Sequence, residues 1–316
     1  MSEFSFRAPK RARRTTESRG RRQSELNSPD PADFSQGSEG LDRERYSVLG
    51  EHARGGLGRI LKAVDNRLKR KVALKELLRP DEEEEQRFMR EALIIARLQH
   101  PSIIPIQDLG RWASSGKPYY AMSMVSGRSL AELIEETKSL EERLALLPNV
   151  IAVADAISYA HSQKIIHRDL NPANVLIGAF GETVVIDWGL AVDLAEPRVP
   201  TPAPRKPASV RAHDANGRLT ITGAVLGTAE YMPAEQAEGK EVDERADVYA
   251  IGAMLYHLLA GAPPYDGSSS SEIMEKVLKG PPVPLQRRQR DLPDELVTIV
   301  AKAMAREPTQ RYPTAK

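Results

Sequence analysis

The chain has 316 residues with 41% hydrophobic and 28% charged content, which is enough for one large domain or two packed lobes. The absence of cysteine excludes disulfides, cysteine-ligated zinc and a thiol nucleophile. The net charge of +1 excludes a global field that would attract nucleic acid or an anionic membrane, so any basic partner site must be local.

Residues 1–42 are rich in arginine, serine, proline and glutamate and contain few apolar residues. Such a composition buries too little surface to offset the entropy of ordering, so we expect a disordered tail. Its run Pro9-Lys10-Arg11-Ala12-Arg13-Arg14 is typical either of solvated charge or of a nucleic-acid or localisation signal, and we favour solvated charge. The tail lacks the apolar core of a signal peptide, so export is not expected.

From Tyr46 the pattern changes to short β-type segments and one helix. The predicted strands are Tyr46–Leu49, Arg59–Val64, Lys71–Leu74, Ile103–Leu109 and Pro118–Met124. The first three predict an antiparallel meander. Acidic residues at 81–85 introduce an amphipathic helix whose apolar face includes Phe88, Ala92, Ile95 and Leu98. Ser126-Gly127 marks a hinge after the last strand.

Beyond the hinge the sequence is mainly helical. The predicted helices are Leu130–Glu136, Arg143–Gln163, Val248–Leu259 and Glu295–Arg306. The longest apolar stretch, Val248–Ala262, is too short to cross a bilayer comfortably, so we predict a buried core helix and no membrane span. One low-complexity insert, Glu196–Ser209, interrupts this region. Lys316 falls at what resembles the start of a helix, from which we expect that a longer protein was truncated there.

The stretch His167-Arg168-Asp169-Leu170-Asn171-Pro172-Ala173-Asn174 is followed closely by Asp187-Trp188-Gly189. An aspartate that takes a hydroxyl proton, with an amide oxygen and a second carboxylate for a metal ion, is what phosphoryl transfer needs. The catalysis of that reaction is mostly positioning and charge neutralisation. The pattern therefore indicates ATP-dependent phosphoryl transfer.

Two further motifs precede it. Val72-Ala73-Leu74-Lys75 ends an apolar strand with a lysine, and Glu91 faces the apolar side of its helix, where an unpaired carboxylate is costly. The two residues predict either a pair that holds Lys75 against phosphates or an ordinary structural salt bridge. Upstream, Ala53-Arg54-Gly55-Gly56-Leu57-Gly58-Arg59-Ile60 fits a phosphate-binding loop, although a hairpin turn without a ligand has the same pattern.

In their order and spacing these motifs resemble the eukaryotic-type (Hanks-type) serine/threonine protein kinases, and most closely the bacterial members of that family. The resemblance runs from about residue 46 to the end of the chain. It implies an α+β, two-lobed kinase fold, with a small antiparallel β-sheet lobe carrying one helix and a larger, mainly α-helical lobe. The implied divisions are an N-lobe at 43–125 and a C-lobe at 126–316, with the activation segment at 187–235.

The resemblance also implies a role for each catalytic residue. Asp169 orients and deprotonates the substrate hydroxyl, Asn174 and Asp187 ligate magnesium (with manganese as an alternative), and Lys75 with Glu91 positions the ATP phosphates. The whole glycine-rich loop, Ala53 to Ile60, covers the nucleotide. The adenine slot is formed by Ile60, Ala73 and Leu176, with Met122 at its back and the backbone of Ser123–Val125 as its hydrogen-bonding edge.

A long segment between Asp187 and Glu235 resembles the activation segment. Phosphate on Thr220 or Thr222 would pair with Arg168 and order the loop, which is a hypothesis. Thr228 matches the threonine that contacts the catalytic aspartate, and Pro172 also indicates serine/threonine specificity. Autophosphorylation of this segment in trans would call for a dimer.

Five other residues match structural positions of the family. Their side chains are His167, Trp188, Glu235, Asp247 and Arg311. The resemblance implies that His167 packs beside Trp188, which replaces the usual phenylalanine, that Asp247 anchors the catalytic loop, and that Glu235 and Arg311 form a buried ion pair.

Three positions depart from the family pattern. Asn171 stands where a lysine usually steadies the transferred phosphate, and loss of that cation could cost a few kcal/mol of barrier lowering. Ala53 replaces the first loop glycine, and Pro233-Ala234 inverts the usual order. These departures motivate the alternative of a nucleotide-binding pseudokinase that acts as a scaffold.

A third hypothesis is association with nucleic acid through the basic tail, although we expect no specific nucleic-acid binding. The leading interpretation is an active protein kinase that takes proteins bearing serine or threonine as substrates. It also predicts a cytoplasmic location, with an anchor beyond Lys316 left open.

Overall fold

The computed structural model describes residues 45–55, 58–78, 81–196 and 228–316. The tail at 1–42, the loop residues Gly56 and Leu57, the threonines at 220 and 222, and all but the first residue of the insert Glu196–Ser209 lie outside the described residues.

The first lobe is built on a five-stranded antiparallel sheet. Its strands are β1 (Tyr46–Arg54), β2 (Gly58–Asp65), β3 (Arg70–Leu77), β4 (Ile106–Arg111) and β5 (Pro118–Ser123). They lie in the order β1-β2-β3-β5-β4. The predicted meander is therefore confirmed, and β1 and β3 extend several residues beyond their predicted ends because polar residues continue the pairing where the apolar pattern has stopped.

Helix α1 (Glu82–Arg97) packs beneath this sheet. Asp81 caps it by accepting a hydrogen bond from the Glu84 amide, and the Glu84 side chain accepts one from the Asp81 amide, which completes a capping box. Four acidic residues in the first turn add a favourable interaction with the helix dipole. The predicted amphipathic helix is confirmed, with Phe88, Ala92 and Ile95 buried.

The second lobe is mainly helical. Its helices are α2 (Leu130–Glu136), α3 (Leu140–Leu144), α4 (Leu147–Ser162), α5 (Ala234–Ala237), α6 (Glu244–Ala260), α7 (Ser270–Lys279), α8 (Leu285–Arg288) and α9 (Asp294–Ala303). Short strands at its upper edge are β6 (Gly127–Ser129), β7 (Ile165–Ile166), β8 (Val175–Gly178), β9 (Thr183–Val185) and β10 (Val192–Asp193). An antiparallel sheet lobe with one helix thus adjoins a helical lobe, which confirms the two-lobed kinase fold.

Three predicted helix boundaries were wrong. The predicted helix Arg143–Gln163 is two helices, because Pro148 at the start of α4 lacks the amide hydrogen that a continuous helix would need. Helix α6 begins at Glu244, four residues before the predicted start, because its polar first turn follows the capping residue Asp243 and has no apolar periodicity. Helix α9 ends at Ala303, and Arg306 then turns to donate to the carbonyl oxygens at 277 and 278.

Helix α6 runs through the main hydrophobic core, as predicted for the apolar stretch from Val248. Thirteen of its side chains are buried, so apolarity in this helix reflects packing on all sides. Within the described residues, a single segment, Leu140–Ser162, is long and apolar enough by composition to cross a membrane. That segment comprises α3 and α4, and α4 packs against α6 and β7, as expected for a core helix.

Candidate active site

A lysine and two acidic residues meet at the inner face of the first-lobe sheet. Lys75 Nζ on β3 lies 2.7 Å from Glu91 Oε1 on α1, so the predicted pair forms. The Tyr120 hydroxyl on β5 donates to the same Glu91 oxygen at 2.8 Å. Asp187 Oδ1 lies 4.0 Å from Lys75 Nζ. Glu91 therefore has two donors that hold its carboxylate in one place.

The charge state of Lys75 follows from this arrangement. Burial by itself lowers the pKa of Lys75, but the charges of Glu91 and Asp187 and the hydrogen bond to Glu91 outweigh it. The net effect raises the pKa above the usual value for lysine. The ammonium group therefore stays charged and is available to a phosphate.

The catalytic loop is fixed from below by Asp247 on α6. This fully buried carboxylate accepts hydrogen bonds from the amides of His167 and Arg168 at 2.8 and 2.9 Å and from His161 Nε2 at 3.0 Å. Burial would raise the pKa of Asp247, but the hydrogen bond and charge of His161 and the hydrogen bond from the His167 amide lower it overall. The contacts hold Arg168 at a φ of 68°.

Two asparagines shape the loop above this anchor. Asn174 Nδ2 donates to the backbone oxygen of Asp169 at 2.9 Å and to its Oδ2 at 3.3 Å. Asn171 Oδ1 accepts from the amides of Ala173 and Asn174, and Asn171 Nδ2 donates to the Asp169 carbonyl oxygen at 3.1 Å. Asn171 is buried and caps the short 3₁₀ helix Pro172–Asn174. Its side chain thus holds the loop together.

Asp187 and Asn174 are the predicted metal-binding residues. The Asp187 side chain is 51% exposed and its backbone has a φ of 61°. Because Asn174 uses its NH₂ group on Asp169, its amide oxygen remains as the acceptor. A carboxylate and an amide oxygen suit a hard divalent ion. Among the described residues no cluster of three His, Cys, Asp or Glu could hold a metal, so the other ligands would be phosphate oxygens and water.

The rings of His167 and Trp188 pack against each other at 4.5 Å between centroids. Both side chains are fully buried, and burial lowers the pKa of His167, which keeps the imidazole neutral. Within the part of the chain that the structure describes, the Trp188 indole N–H has no hydrogen-bond acceptor. Tryptophan thus fills the predicted packing position with one unsatisfied donor that phenylalanine would not have.

The described part of the glycine-rich loop joins β1 and β2. Gly58 lies so close to β3 that an added Cβ would stand 2.7 Å from the Glu76 carbonyl oxygen. Arg54 and Arg59 are held by ion pairs, Arg54 with Glu51 at 2.6 Å and Arg59 with Glu76 at 2.7 Å. Ala53 lies in β1 opposite Ile60. The Arg59 pair therefore ties β2 to β3, whereas the Arg54 pair lies within β1.

Strand register places the residues that were predicted to form the adenine slot. Ala73 pairs with Met122 across β3 and β5, and Ile60 pairs with Lys75 across β2 and β3. Ala73 and Met122 are buried, Ile60 is half-buried, and Val125 packs on the same core. Leu176 lies on β8 opposite Ser129 of β6, at the other side of the hinge. Ser123 ends β5 and pairs with Val72.

The last part of the predicted activation segment is anchored to the second lobe. Thr228 begins a 3₁₀ helix, Thr228–Tyr231. The Tyr231 hydroxyl lies 2.7 Å from His257 Nδ1 on α6. Burial, with a smaller effect of the Arg143 charge, lowers the pKa of His257 to about 4, so the neutral imidazole accepts a hydrogen bond from the Tyr231 hydroxyl.

The predicted pair of Glu235 and Arg311 is present. The two side chains form a double hydrogen bond of 2.6 and 3.0 Å, and the Arg311 side chain is fully buried. Three further Arg311 hydrogen bonds go to the backbone oxygens of Arg245, Ala305 and Arg306.

Sequence reasoning missed four partners of these groups. They are Tyr120, His161, His257 and Gln236, whose side-chain amide donates to the Arg168 carbonyl oxygen at 2.7 Å. A strand register would have found Tyr120, because it pairs directly with Lys75. The other three approach their partners from distant segments, for which the sequence has no local signal.

The chain is similar to proteins of known class. The family model described as the protein kinase domain matches residues 44–316. The chain is 37% identical over 278 residues to serine/threonine-protein kinase PknB of Mycolicibacterium smegmatis and 36% to that of Mycobacterium tuberculosis; each match covers 86% of the chain and 41% of the relative. It is 34% identical to serine/threonine-protein kinase PknD of Chlamydia trachomatis, over 85% of the chain and 30% of that protein. The chain thus spans less than half the length of these relatives.

Proposed function

The chain belongs to the protein kinase domain family, in its Hanks-type serine/threonine branch, and from this we propose that it transfers the γ-phosphate of ATP to protein serine and threonine hydroxyls. The observation that carries the proposal is the arrangement of Lys75, Glu91 and Asp187 opposite Asp169 and Asn174. That set contains one cation, an anchor for it, a base and two metal ligands, which phosphoryl transfer requires.

In the proposed mechanism Lys75 binds the ATP phosphates. The Glu91 carboxylate orients it, because the Lys75 ammonium and the Tyr120 hydroxyl meet at one Glu91 oxygen. Such preorganisation lowers the barrier because no charge has to be reoriented when the reaction occurs.

We assign Asp187 and Asn174 to magnesium, with manganese as a second ion for the same oxygen ligands. When bound, the ion neutralises charge on the phosphates. The hydrogen bonds from Asn174 to Asp169 couple the metal ligand to the base, so both groups keep a constant separation.

Asp169 is the proposed general base. It orients the substrate hydroxyl and accepts its proton as the oxygen attacks phosphorus. Its position is held by Asn174 and by the Asp247 contacts to the two preceding residues. Asn171 supports this loop and contributes no positive charge to the transferred phosphate.

We extend the proposal to regulation and organisation. Thr220 and Thr222 are the proposed autophosphorylation sites, with Arg168 as the phosphate partner and a dimer as the arrangement for transfer in trans. The proposed lobes are 43–125 and 126–316, and the proposed location is the cytoplasm. The adenine slot, the glycine-rich loop and Thr228 keep the roles that the resemblance implies.

Phosphate transfer from labelled ATP with magnesium tests the proposal. Wild type, Asp169→Asn and the control Asp155→Asn, an exposed carboxylate on α4, are compared on a basic protein substrate and on the chain itself. We expect transfer by wild type and the control, and a loss of at least a thousandfold in Asp169→Asn. Mass spectrometry then locates the phosphate.

Nucleotide binding measured on the same samples separates the alternatives. Binding without transfer by wild type would contradict the proposal and favour the pseudokinase. The comparisons themselves give no support to that alternative, since the relatives are named as kinases.

A further inference from the structure

The turn between β2 and β3 carries a cluster of positive charge that the proposed reaction does not use. We call it the basic hairpin, and its cations are Lys62, Arg67, Lys69, Arg70 and Lys71. All five side chains are exposed, and none forms an ion pair with a carboxylate of the described residues. Other arginines of the same sheet are paired, for example Arg45 with Asp108 at 2.7 Å and Arg59 with Glu76. Five cations without a carboxylate partner among the described residues therefore cluster on this hairpin.

The turn that presents these cations is well formed. The buried Asp65 accepts hydrogen bonds from the amides of Arg67 and Leu68 at 2.9 and 3.2 Å, and Lys69 adopts a φ of 54°. Asp65 therefore serves the backbone at the base of the turn. The tip residue, Leu68, is 60% exposed, so an apolar side chain projects from the middle of the cations.

A second exposed apolar side chain lies beyond the hinge. Val72, just after the basic hairpin, pairs with Ser123 at the end of β5. The hinge follows Ser123, and Gly127 beyond it pairs with Gly178, which leads into the β8–β9 turn. The tip of that turn is Phe180, which is 97% exposed. The basic hairpin and Phe180 thus lie on either side of the hinge.

We infer that the surface beside the hinge, which includes the basic hairpin and Phe180 and which we call the hinge edge, is a docking surface for an anionic lipid bilayer. Lysine and arginine near an anionic membrane surface each add to binding, and exposed apolar side chains enter the boundary between headgroups and acyl chains. A nucleic acid would match the cations equally well, but its phosphate backbone would not bury Leu68. The inference goes beyond the proposed phosphoryl transfer and does not depend on it.

The proposed orientation leaves the active site accessible. Strand β2 runs from Gly58, at the glycine-rich loop, to Asp65, at the basic hairpin, a rise of about 23 Å. The catalytic groups lie toward the loop end of the sheet. A bilayer at the hinge edge therefore does not cover the entrance for a protein substrate.

Co-sedimentation of the full chain with vesicles tests the inference. Vesicles of phosphatidylcholine mixed with phosphatidylglycerol are compared with vesicles of phosphatidylcholine alone. We expect wild type to bind the anionic vesicles only. The triple variant Arg67→Gln, Arg70→Gln, Lys71→Gln should bind them with an affinity about 100-fold lower, since each cation contributes about fivefold. A matched control, Lys279→Gln, Arg287→Gln, Arg290→Gln, removes three exposed cations of the second lobe and should bind as wild type.

Two further variants isolate other contributions. Leu68→Ser with Phe180→Ser keeps every charge and should weaken binding most at high salt, where the electrostatic attraction is screened. Neutralising Lys10, Arg11, Arg13 and Arg14 to glutamine tests the tail as a rival source of charge. Circular dichroism and thermal unfolding, measured for every variant, establish that the chain remains folded.

Three outcomes would overturn the inference. In the first, the hairpin triple variant and its second-lobe control lose vesicle affinity equally. In the second, only the tail variant loses vesicle affinity. In the third, wild type binds no vesicles but binds a DNA duplex, and this binding requires the hairpin cations. Selective loss in the hairpin triple variant, with a further loss at high salt in the Leu68 and Phe180 variant, would support it.

Discussion

Asn171 has a structural role at a position where the family pattern has a residue that binds phosphate. The family pattern has a lysine here, whose long chain reaches outward to a phosphate. The shorter asparagine is buried, and both ends of its amide bond the surrounding loop. Where the family pattern has a cation, this chain therefore has a residue that caps the loop.

This arrangement predicts opposite effects of Asn171→Lys on stability and activity. Lysine cannot accept the hydrogen bonds from Ala173 and Asn174, so the free energy of unfolding should fall by about 1 kcal/mol. The restored cation should raise kcat on a protein substrate, because it stabilises charge on the transferred phosphate. Urea unfolding and initial rates measure the two effects.

Asn171→Ser serves as the control, since serine keeps a capping oxygen and adds no charge. It should be close to wild type in both measurements. A lysine variant of unchanged stability would show that the capping bonds contribute nothing.

At the scale of elements, helix α6 connects the predicted catalytic loop to the last part of the predicted activation segment. Asp247 in its first turn binds the loop, and His257 in its last turn accepts a hydrogen bond from Tyr231. Between them the helix is buried on nearly every side. One buried helix therefore fixes the positions of two segments that are far apart in the chain.

The His257 contact predicts a pH dependence of stability. Its folded pKa of about 4 lies below the ordinary value of 6.5, so between these pH values the unfolded chain binds a proton that the folded chain does not. Neutral His257 therefore contributes to the free energy of unfolding in full above pH 6.5, and this contribution is lost as the pH falls toward 4, by up to about 3 kcal/mol. Urea unfolding across this range measures it.

His257→Gln removes the titration while leaving an acceptor for the Tyr231 hydroxyl. The variant should therefore lose less stability than wild type on acidification. His52→Gln, which removes an exposed imidazole, should follow wild type. Parallel curves for wild type and His257→Gln would contradict the assignment.

The contact of α6 with α9 predicts an unfavourable glycine substitution. A Cβ at Gly252 would lie 2.7 Å from Ala303 Cβ and 2.9 Å from Met304 Cγ. Gly252→Ala should therefore destabilise the chain by about 1–2 kcal/mol, although alanine favours helix. Gly280→Ala, where the structure has open space, is the matched control and should change stability little. Thermal unfolding decides between them, and equal stability of the two variants would exclude close packing at 252.

At the scale of the whole molecule, Arg311 joins segments far apart in the chain. All five of its donors are used, and its guanidinium stacks over the Tyr249 ring at 4.9 Å. Arg311→Met should lower the free energy of unfolding by about 3–5 kcal/mol, because it leaves the Glu235 carboxylate without its cation. Arg311→Lys should recover little, since a point charge cannot match the five donors.

A double-mutant cycle with Glu235→Met measures the coupling in urea unfolding. The free energy of unfolding should fall less in the double variant than the sum of its falls in the two single variants. Arg290→Met, at an exposed position, is the control and should be nearly neutral. Strict additivity would mean that the two side chains do not stabilise each other.

Much of the fold was predictable from the sequence because its signals are local. The apolar spacing of α1 and the strand-forming segments of the first lobe follow from residues within one element. The break between α3 and α4 was missed because an apolar pattern continued across Pro148. The polar first turn of α6 was missed because it has no apolar periodicity.

For the site, the sequence by itself determined the order and chemical types of the groups, from Lys75 and Glu91 to Asp169 and Asp187. Only the tertiary structure decided the partners: Tyr120 for Glu91, His257 for Tyr231, and the surrounding backbone for Asn171. The reason is physical. Residue type sets what a side chain can do, whereas strand register and helix packing set which distant side chain it meets, and neither is encoded in any short stretch of sequence.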